Sequence, residues 1–125
     1  MSIRLASATA ATQGGRRYQE DTALFWDARQ ALNNSADWTA DLPTLPEGEV
    51  IAVLGDGMGG HVGGATASRL AADCFLAAFL RSDLATPDRL LAALDTANHA
   101  LADKVAARPM FRGMGTTLIG AFVRD

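Results

Sequence analysis

The stretch VLGDGMGGHVGG, residues 53–64, limits the possible folds more than any other part of the chain. Glycines stand where a backbone must turn tightly or approach another group closely. The apolar run EVIAVLGD, residues 49–56, leads into these glycines and predicts a short strand buried on both faces. An alanine-rich apolar segment begins at about Gly64. The sequence therefore predicts a strand-to-helix turn that presents Asp56.

Two helices are predicted after the glycine run. Between residues 64 and 80, apolar side chains recur at spacings of three and four and form one stripe. The second helix is expected to have Thr86 as its N-cap and Pro87 in its first turn, and to end before Pro109. Its predicted apolar stripe comprises Leu90, Leu91, Leu94, Ala97, Leu101 and Val105. A helix pair packed on a sheet would bury both stripes.

The remaining elements are predicted to be strands and a long loop. Residues 3–10 and 22–27 flank a Gly-Gly pair and predict a β-hairpin. Residues 28–48 contain two prolines in LPTLPEG and predict a surface loop, long enough to be an insertion. Residues 114–123 have the β-branched and aromatic content of a further strand. Strands on either side of a helical middle indicate an α+β fold.

Charge and composition exclude several classes of function. Eleven Lys and Arg against 14 Asp and Glu give a net charge of −3. The longest basic cluster is Arg16-Arg17, so no nucleic-acid surface is predicted. No apolar run approaches the roughly 18 to 20 residues of a membrane span, and no signal peptide is predicted. The single cysteine, Cys74, is expected to be a buried apolar side chain in a reducing, cytoplasmic protein.

One interpretation of the glycine run is nucleotide binding. Gly55, Gly57 and Gly60 satisfy the pattern G-x-G-x-x-G. A dinucleotide fold would continue to a parallel strand, with an acidic residue about 20 positions further on. Here a second helix is predicted instead, and Asp73 lies inside a helix. Asp56 would also face the pyrophosphate with no compensating lysine, which leaves a nucleotide-binding domain as the weaker alternative.

The other interpretation is a metal site at Asp56. A carboxylate at a strand end, beside the unshielded carbonyl of Gly57, suits a hard divalent cation that takes oxygen ligands. Glu20 and Asp21 form a second acidic pair at the start of a predicted strand, and Arg16 precedes them. The chain thus offers two acidic clusters and one nearby cation.

Three motifs in this order resemble the N-terminal half of the metal-dependent type 2C protein Ser/Thr phosphatases. The pattern R-x-x-x-E-D leads into a strand, D-G-x-G-G-H ends the next, and G-T-T opens a later one. The form DGMGGH is similar to the bacterial members in particular. The resemblance covers most of residues 10–120. It implies a partial four-layer α-β-β-α sandwich of mostly antiparallel strands with a helical pair, and residues 1–125 as a single incomplete catalytic domain.

The resemblance also implies which residues would hold metal ions. Asp56 would bridge two Mg²⁺ or Mn²⁺ ions, and the carbonyl of Gly57 would complete one of them. Glu20 would hold the same pair, mainly through bound water, and Asp21 would orient that water. Two cations acidify a water between them and neutralise phosphoryl oxygens during in-line attack. The metal ligands are therefore expected at Glu20, Asp21, Asp56 and Gly57.

Substrate binding is implied to depend on other residues. Arg16 would bind the phosphate through two oxygens at once, as a planar guanidinium can. Thr117 would line the site near the metal-bound waters, although Thr116 of the same G-T-T motif is an equally available candidate. Many eukaryotic relatives have a histidine directly after the D-G pair, where this chain has Met58. His61 comes three residues later, so the identity of any general acid stays open.

By this resemblance the chain is expected to be an incomplete phosphatase. The family has further metal-binding aspartates late in its catalytic domain, each followed by glycine or asparagine. No aspartate after Asp56 in this chain is followed by glycine or asparagine. We therefore expect weak or no turnover, and possible self-association through an unfinished sheet. The parent activity would act on phosphoserine and phosphothreonine in proteins, opposite a Ser/Thr kinase. A non-catalytic phosphatase-like binding module is the alternative.

Overall fold

The computed structural model describes residues 4–29, 37–60 and 62–125. In chain order the helices and strands are β1 (Asp21–Trp26), β2 (Val50–Met58), α1 (Val62–Arg81), α2 (Thr86–Ala107), β3 (Gly115–Thr116) and β4 (Ile119–Val123). Two single 3₁₀ turns, Asp37–Thr39 and Pro109–Phe111, stand between them. One sheet with two helices confirms the α+β class, and it forms one α layer and one β layer of the expected sandwich.

Strand β2 is at the centre of the sheet. β1 pairs antiparallel with one of its edges, with Asp21 opposite Asp56. β4 pairs antiparallel with residues 50–54 on the other edge. The short β3 pairs with Gly57 and Met58, beyond the end of β4. The strand predicted over residues 114–123 is thus divided in two, and both parts pair with β2.

The inner face of the sheet packs against α1 and forms the core. Trp26, Ile51 and Val53 are buried there. From the helix side, Phe79 lies against Phe122 of β4, with ring centroids 5.2 Å apart. The predicted helix pair is therefore confirmed, with α1 covering this face of the sheet and α2 packed against α1.

The outer face of the sheet is apolar and exposed. Cross-strand partners share a face, so the register places Ala23, Leu54 and Ile119 side by side on it. Leu54 is 50% exposed and Ile119 is 65% exposed. The prediction that β2 is buried on both faces is therefore wrong for the described residues, which cover only the inner face. We call the row Ala23, Phe25, Ala52, Leu54, Ile119 and Ala121 the outer face.

The predicted hairpin between residues 3–10 and 22–27 is wrong. Residues 4–13 are exposed and have no regular structure, and residue 3 lies outside the described residues. β1 pairs with β2 instead, which is more than twenty residues away in sequence. The reason is burial: Leu24 and Trp26 of β1 reach the core, whereas the N-terminal segment has few large apolar side chains to bury.

The segment over residues 28–48 is more than a surface loop. In its described part, Leu42 and Leu45 are buried in the core. The indole N–H of Trp26 donates to the carbonyl oxygen of Pro43 at 3.1 Å. No strand or long helix forms in this described part, as the prolines predict. The segment therefore covers one end of the core.

The register of α2 differs from the predicted stripe. Thr86 is the first helical residue rather than the N-cap. The buried positions are Ala93 and Ala97, whereas Leu91 and Leu94 are 65% and 45% exposed. Small alanine side chains allow α2 to lie close to α1, and this contact turns two leucines outward. Neither described helix is long and apolar enough to cross a membrane.

Candidate active site

Two of the predicted metal ligands are cross-strand neighbours. Asp21, the first residue of β1, lies directly opposite Asp56 of β2. Both side chains are exposed at one end of the outer face. Like charges directly opposite each other on a sheet repel, so the pair is unfavourable without a cation. Two such carboxylates are suited to coordinate a hard divalent cation.

Glu20, the residue before Asp21, has an unsatisfied carboxylate oxygen close to Gly64 at the start of α1. Its carbonyl oxygen accepts the backbone N–H of Gly57 at 3.1 Å, which ties Glu20 to the end of β2. Its Oε1 atom is buried and has no hydrogen-bond partner among the described residues. A buried acceptor without a donor is costly. A cation, or a water bound to one, would satisfy this oxygen.

Two glycines, Gly57 and Gly64, allow the end of β2 to pack closely against the first turn of α1. A Cβ atom on Gly57 would collide with the carbonyl of Gly64. A Cβ atom on Gly64 would collide with Oε1 of Glu20. The sequence predicted a ligand role for Gly57 and assigned Gly64 only to the strand-to-helix turn, so the contact of Gly64 with Glu20 was missed. Both glycines are therefore needed to hold Glu20 between β2 and the first turn of α1.

The segment around β3 fixes the backbone of Asp56. The Asp56 N–H donates to Oγ1 of Thr117 at 3.2 Å, and the Thr117 N–H donates to the Asp56 carbonyl at 2.9 Å. The Thr116 hydroxyl contacts the same carbonyl at 3.0 Å. The Thr117 hydroxyl accepts one hydrogen bond and keeps its own proton to donate. Thr116 and Thr117 thus both lie beside Asp56. Thr117 is the one whose side chain accepts the hydrogen bond from the Asp56 N–H.

Arg16 lies in a turn before β1. Its backbone N–H donates to the carbonyl of Gln13 at 3.3 Å, and the Gln13 side-chain amide donates back to the Arg16 carbonyl at 2.7 Å. Arg16 is exposed. Within the described ranges it forms no ion pair with the carboxylates of the site. Its guanidinium is therefore not neutralised by these carboxylates.

The two histidines contribute no described group to this site. His61 lies outside the described residues. His99 is exposed on α2, with Nδ1 2.9 Å from the carbonyl oxygen of Asp95. This contact, together with the nearby Asp95 carboxylate, raises the pKa of His99 above its ordinary value. Met58, which stands directly after the D-G pair, is exposed on the outer face.

Burial also affects Cys74 on α1. It raises the pKa of the Cys74 thiol, and the neighbouring Asp73 carboxylate raises it further. A thiol with a raised pKa is a poor nucleophile, in keeping with the predicted packing role. Cys74 packs against the core as a half-buried side chain.

The carboxylates do not form a metal site by themselves within the described residues. Over the described ranges, no group of three or more His, Cys, Asp and Glu side chains has the geometry to hold a metal ion. The opposed Asp21 and Asp56 and the unpaired Glu20 oxygen nevertheless offer the oxygen ligands that Mg²⁺ and Mn²⁺ prefer. Since such cations take about six oxygen ligands, water or further residues would have to supply the rest.

No family model matches the chain, and a search of the curated proteins gives no match. Solved structures do match. The Ser/Thr phosphatase Stp1 of Staphylococcus aureus is 22% identical, with a TM-score of 0.67, over 100% of this chain and 46% of its own. PstP/Ppp of Mycobacterium tuberculosis is 28% identical, with a TM-score of 0.56, over 84% of this chain and 36% of its own.

A third match is the Ser/Thr phosphatase of S. agalactiae. It is 22% identical, with a TM-score of 0.62, over 88% of this chain and 40% of its own. The chain thus spans less than half the length of these three phosphatases. Their fold confirms the resemblance to bacterial Ser/Thr phosphatases that the three sequence motifs carry.

Proposed function

We propose that this chain, which shares its fold with bacterial Ser/Thr phosphatases, forms the active-site half of a Mg²⁺- or Mn²⁺-dependent protein Ser/Thr phosphatase. The observation that carries the proposal is the opposition of Asp21 and Asp56 across β1 and β2. The unpaired Oε1 of Glu20, the residue before Asp21, adds a further free oxygen. A cation would offset the repulsion between the two aspartates and could coordinate the unpaired oxygen of Glu20. The motif order and the shared fold support a hydrolase of this class.

The proposed metal ligands are Asp56, Glu20, Asp21 and the carbonyl of Gly57. When bound, two cations would lower the pKa of a water between them and offset charge on the phosphoryl oxygens. Asp56 would hold both ions, and its backbone is fixed for this by hydrogen bonds with Thr116 and Thr117. Glu20 and Asp21 would accept hydrogen bonds from metal-bound water and so orient it.

Arg16 and Thr117 are proposed to act on the substrate side. The exposed Arg16 guanidinium, which forms no ion pair with the site carboxylates, would bind two oxygens of the phosphate. The Thr117 hydroxyl, which already accepts the Asp56 N–H, would donate its proton to a water or a phosphate oxygen in the site. The substrates would be phosphoserine and phosphothreonine in proteins modified by a Ser/Thr kinase, in the cytoplasm.

We further propose that these 125 residues alone hydrolyse phosphate esters slowly or not at all. Two observations support this: the chain spans 36% to 46% of the three matched phosphatases, and its described acidic residues complete no metal site. Hydrolysis of p-nitrophenyl phosphate with Mn²⁺ tests both parts. Little or no turnover is expected. Robust Mn²⁺-dependent turnover that is lost in Asp56→Asn would support the phosphatase assignment and contradict the claim of an incomplete site.

A non-catalytic binding module is the second candidate. The incomplete set of metal-ligating side chains in the described part of the chain favours it. The exposed outer face also suits association, either with a partner protein or with a second copy. Light scattering over a concentration range tests self-association, for which a mass of twice 13.1 kDa would be expected. Absence of Mn²⁺ binding would favour the module over the phosphatase.

A further inference from the structure

A second feature lies next to the proposed catalytic site and has no role in it. It is a partly open cavity of about 170 Å³. Met110, Phe111, Arg112 and Met114 line one side, and glycines of the loop after β2 line the other. We call it the methionine cavity. It combines apolar walls with one guanidinium, and these can contact the apolar and the charged parts of a peptide.

The loop glycines place the cavity close to the carboxylates. Gly59 follows β2 three residues after Asp56, which corresponds to about 10 Å along the chain. A Cβ atom on Gly59 would lie 2.8 Å from the Cα of Met114, so only glycine allows this close approach. Gly59 and Gly60 both have positive φ, at 136° and 60°. The glycine wall of the cavity is thus held against Met114 and begins three residues along the chain from Asp56.

That distance matches the spacing of residues in a substrate peptide. An extended peptide advances about 3.3 to 3.6 Å per residue. The Cα atom of a residue three positions from the phosphorylated residue would therefore lie about 10 Å from the Cα atom of that residue. A peptide with its phosphate near Asp56 could place the side chain of such a residue in the methionine cavity.

The charge around the cavity selects among peptides. Residues 104–112 contain Lys104, Arg108 and Arg112 and no acidic residue, in a chain whose net charge is −3. The Lys104 ammonium lies 5.4 Å from the centroid of the ring of Phe111, one of the residues that line the cavity. Among the described residues, none of the three cations forms an ion pair. These positive charges are available to an acidic ligand.

We propose that the methionine cavity and the cations of residues 104–112 bind acidic residues that flank the phosphorylated residue of a substrate peptide. This inference rests on the proposed phosphatase function, because the phosphate fixes the register of the peptide. Arg112 contacts a flanking carboxylate, and Met110, which is 77% exposed, packs against its aliphatic part. The site thereby distinguishes substrates by sequence.

Fluorescence anisotropy in Mn²⁺ tests the proposal with three labelled peptides: a phosphothreonine peptide flanked by aspartates, the same peptide flanked by lysines, and the aspartate peptide without phosphate. The acidic phosphopeptide is expected to bind about fivefold more tightly than the lysine peptide at low salt. Arg112→Glu and Met110→Glu are expected to abolish this preference. Arg124→Glu is the matched control, because Arg124 follows β4 at the opposite end of the sheet.

The outcomes separate this inference from the proposed function. A preference for acidic flanks that survives both Arg112→Glu and Met110→Glu overturns the inference, and so does equal binding of the two phosphopeptides. Equal binding of the phosphorylated and unphosphorylated acidic peptides contradicts the phosphatase proposal instead. In that case, loss of binding in Arg112→Glu but not in Arg124→Glu still supports an acidic-peptide site. Circular dichroism of each variant checks that the fold is retained.

Discussion

Asp21 and Asp56 lie directly opposite each other on adjacent antiparallel strands, at one end of the exposed outer face. Two carboxylates in this position repel each other in the metal-free protein. The arrangement is a cost to folding that a bound cation would remove. The stability of the protein is therefore expected to report on metal binding.

Asp21→Asn tests this coupling. Without metal, the variant is expected to be more stable than the parent protein by about 0.2 to 1 kcal/mol, because one of the two opposed charges is gone. Millimolar Mn²⁺ should stabilise the parent protein more than the variant and reverse the order. Urea denaturation followed by circular dichroism measures both differences. Asp103→Asn, on the exposed side of α2, is the control, and a destabilised metal-free Asp21→Asn would contradict the account.

Gly57→Ala tests the contact between β2 and α1. The added methyl group would collide with the carbonyl of Gly64 and would lie 2.7 Å from the carbonyl of Glu20. We expect the free energy of unfolding to fall by roughly 1 to 3 kcal/mol, since the added methyl group would displace backbone atoms rather than a flexible side chain. The midpoint of urea unfolding gives the change. Gly15→Ala is the matched control because its Cβ would meet nothing within 4 Å; equal effects at both sites would count against the close contact.

Asp73 gives the protein a specific pH dependence. Burial raises the pKa of this carboxyl above its ordinary value of 3.8, and the Arg69 guanidinium offsets part of the increase. The folded state therefore holds the proton to a higher pH than the unfolded state does. As pH rises from 3.8 through the raised pKa, this group reduces stability, because a buried carboxylate must ionise.

Asp73→Asn removes that dependence. Its unfolding midpoint in urea should fall less than that of the parent protein as pH rises through this window. The buried Oδ1 atom of Asp73, which has no described hydrogen-bond partner, supports the same direction. Midpoints of the two proteins that change in parallel with pH would show that Asp73 is not responsible.

The motifs at the site could be predicted because they are local in sequence. The glycine run predicts a turn that presents Asp56, and the acidic pair at Glu20 and Asp21 predicts a second ligand group. The β1–β2 register places Asp21 opposite Asp56, and a backbone hydrogen bond ties Glu20 to Gly57. That register is a long-range pairing, and the sequence instead favoured a local hairpin with residues 3–10, whose exposed segment has little to bury.

The packing of the helices could be predicted only in outline. Apolar spacing identified both helices, but it placed Leu91 and Leu94 of α2 toward the core. In the structure Ala93 and Ala97 take that place, because a close helix contact requires small side chains and depends on the partner surface. The contact of Gly64 with Glu20 was missed for a similar reason, since it depends on where the Glu20 side chain lies.

Calorimetric titration with Mn²⁺ tests the central claim, which is that Asp56 anchors a divalent-cation site. The parent protein is expected to bind Mn²⁺ with a dissociation constant on the order of 1 mM, as suits an incomplete oxygen-ligand set. Asp56→Asn should weaken this binding by about tenfold or more, since it removes a charged ligand, and Asp103→Asn should leave it unchanged. No binding heat from the parent protein, or equal affinity in Asp56→Asn, would contradict the account.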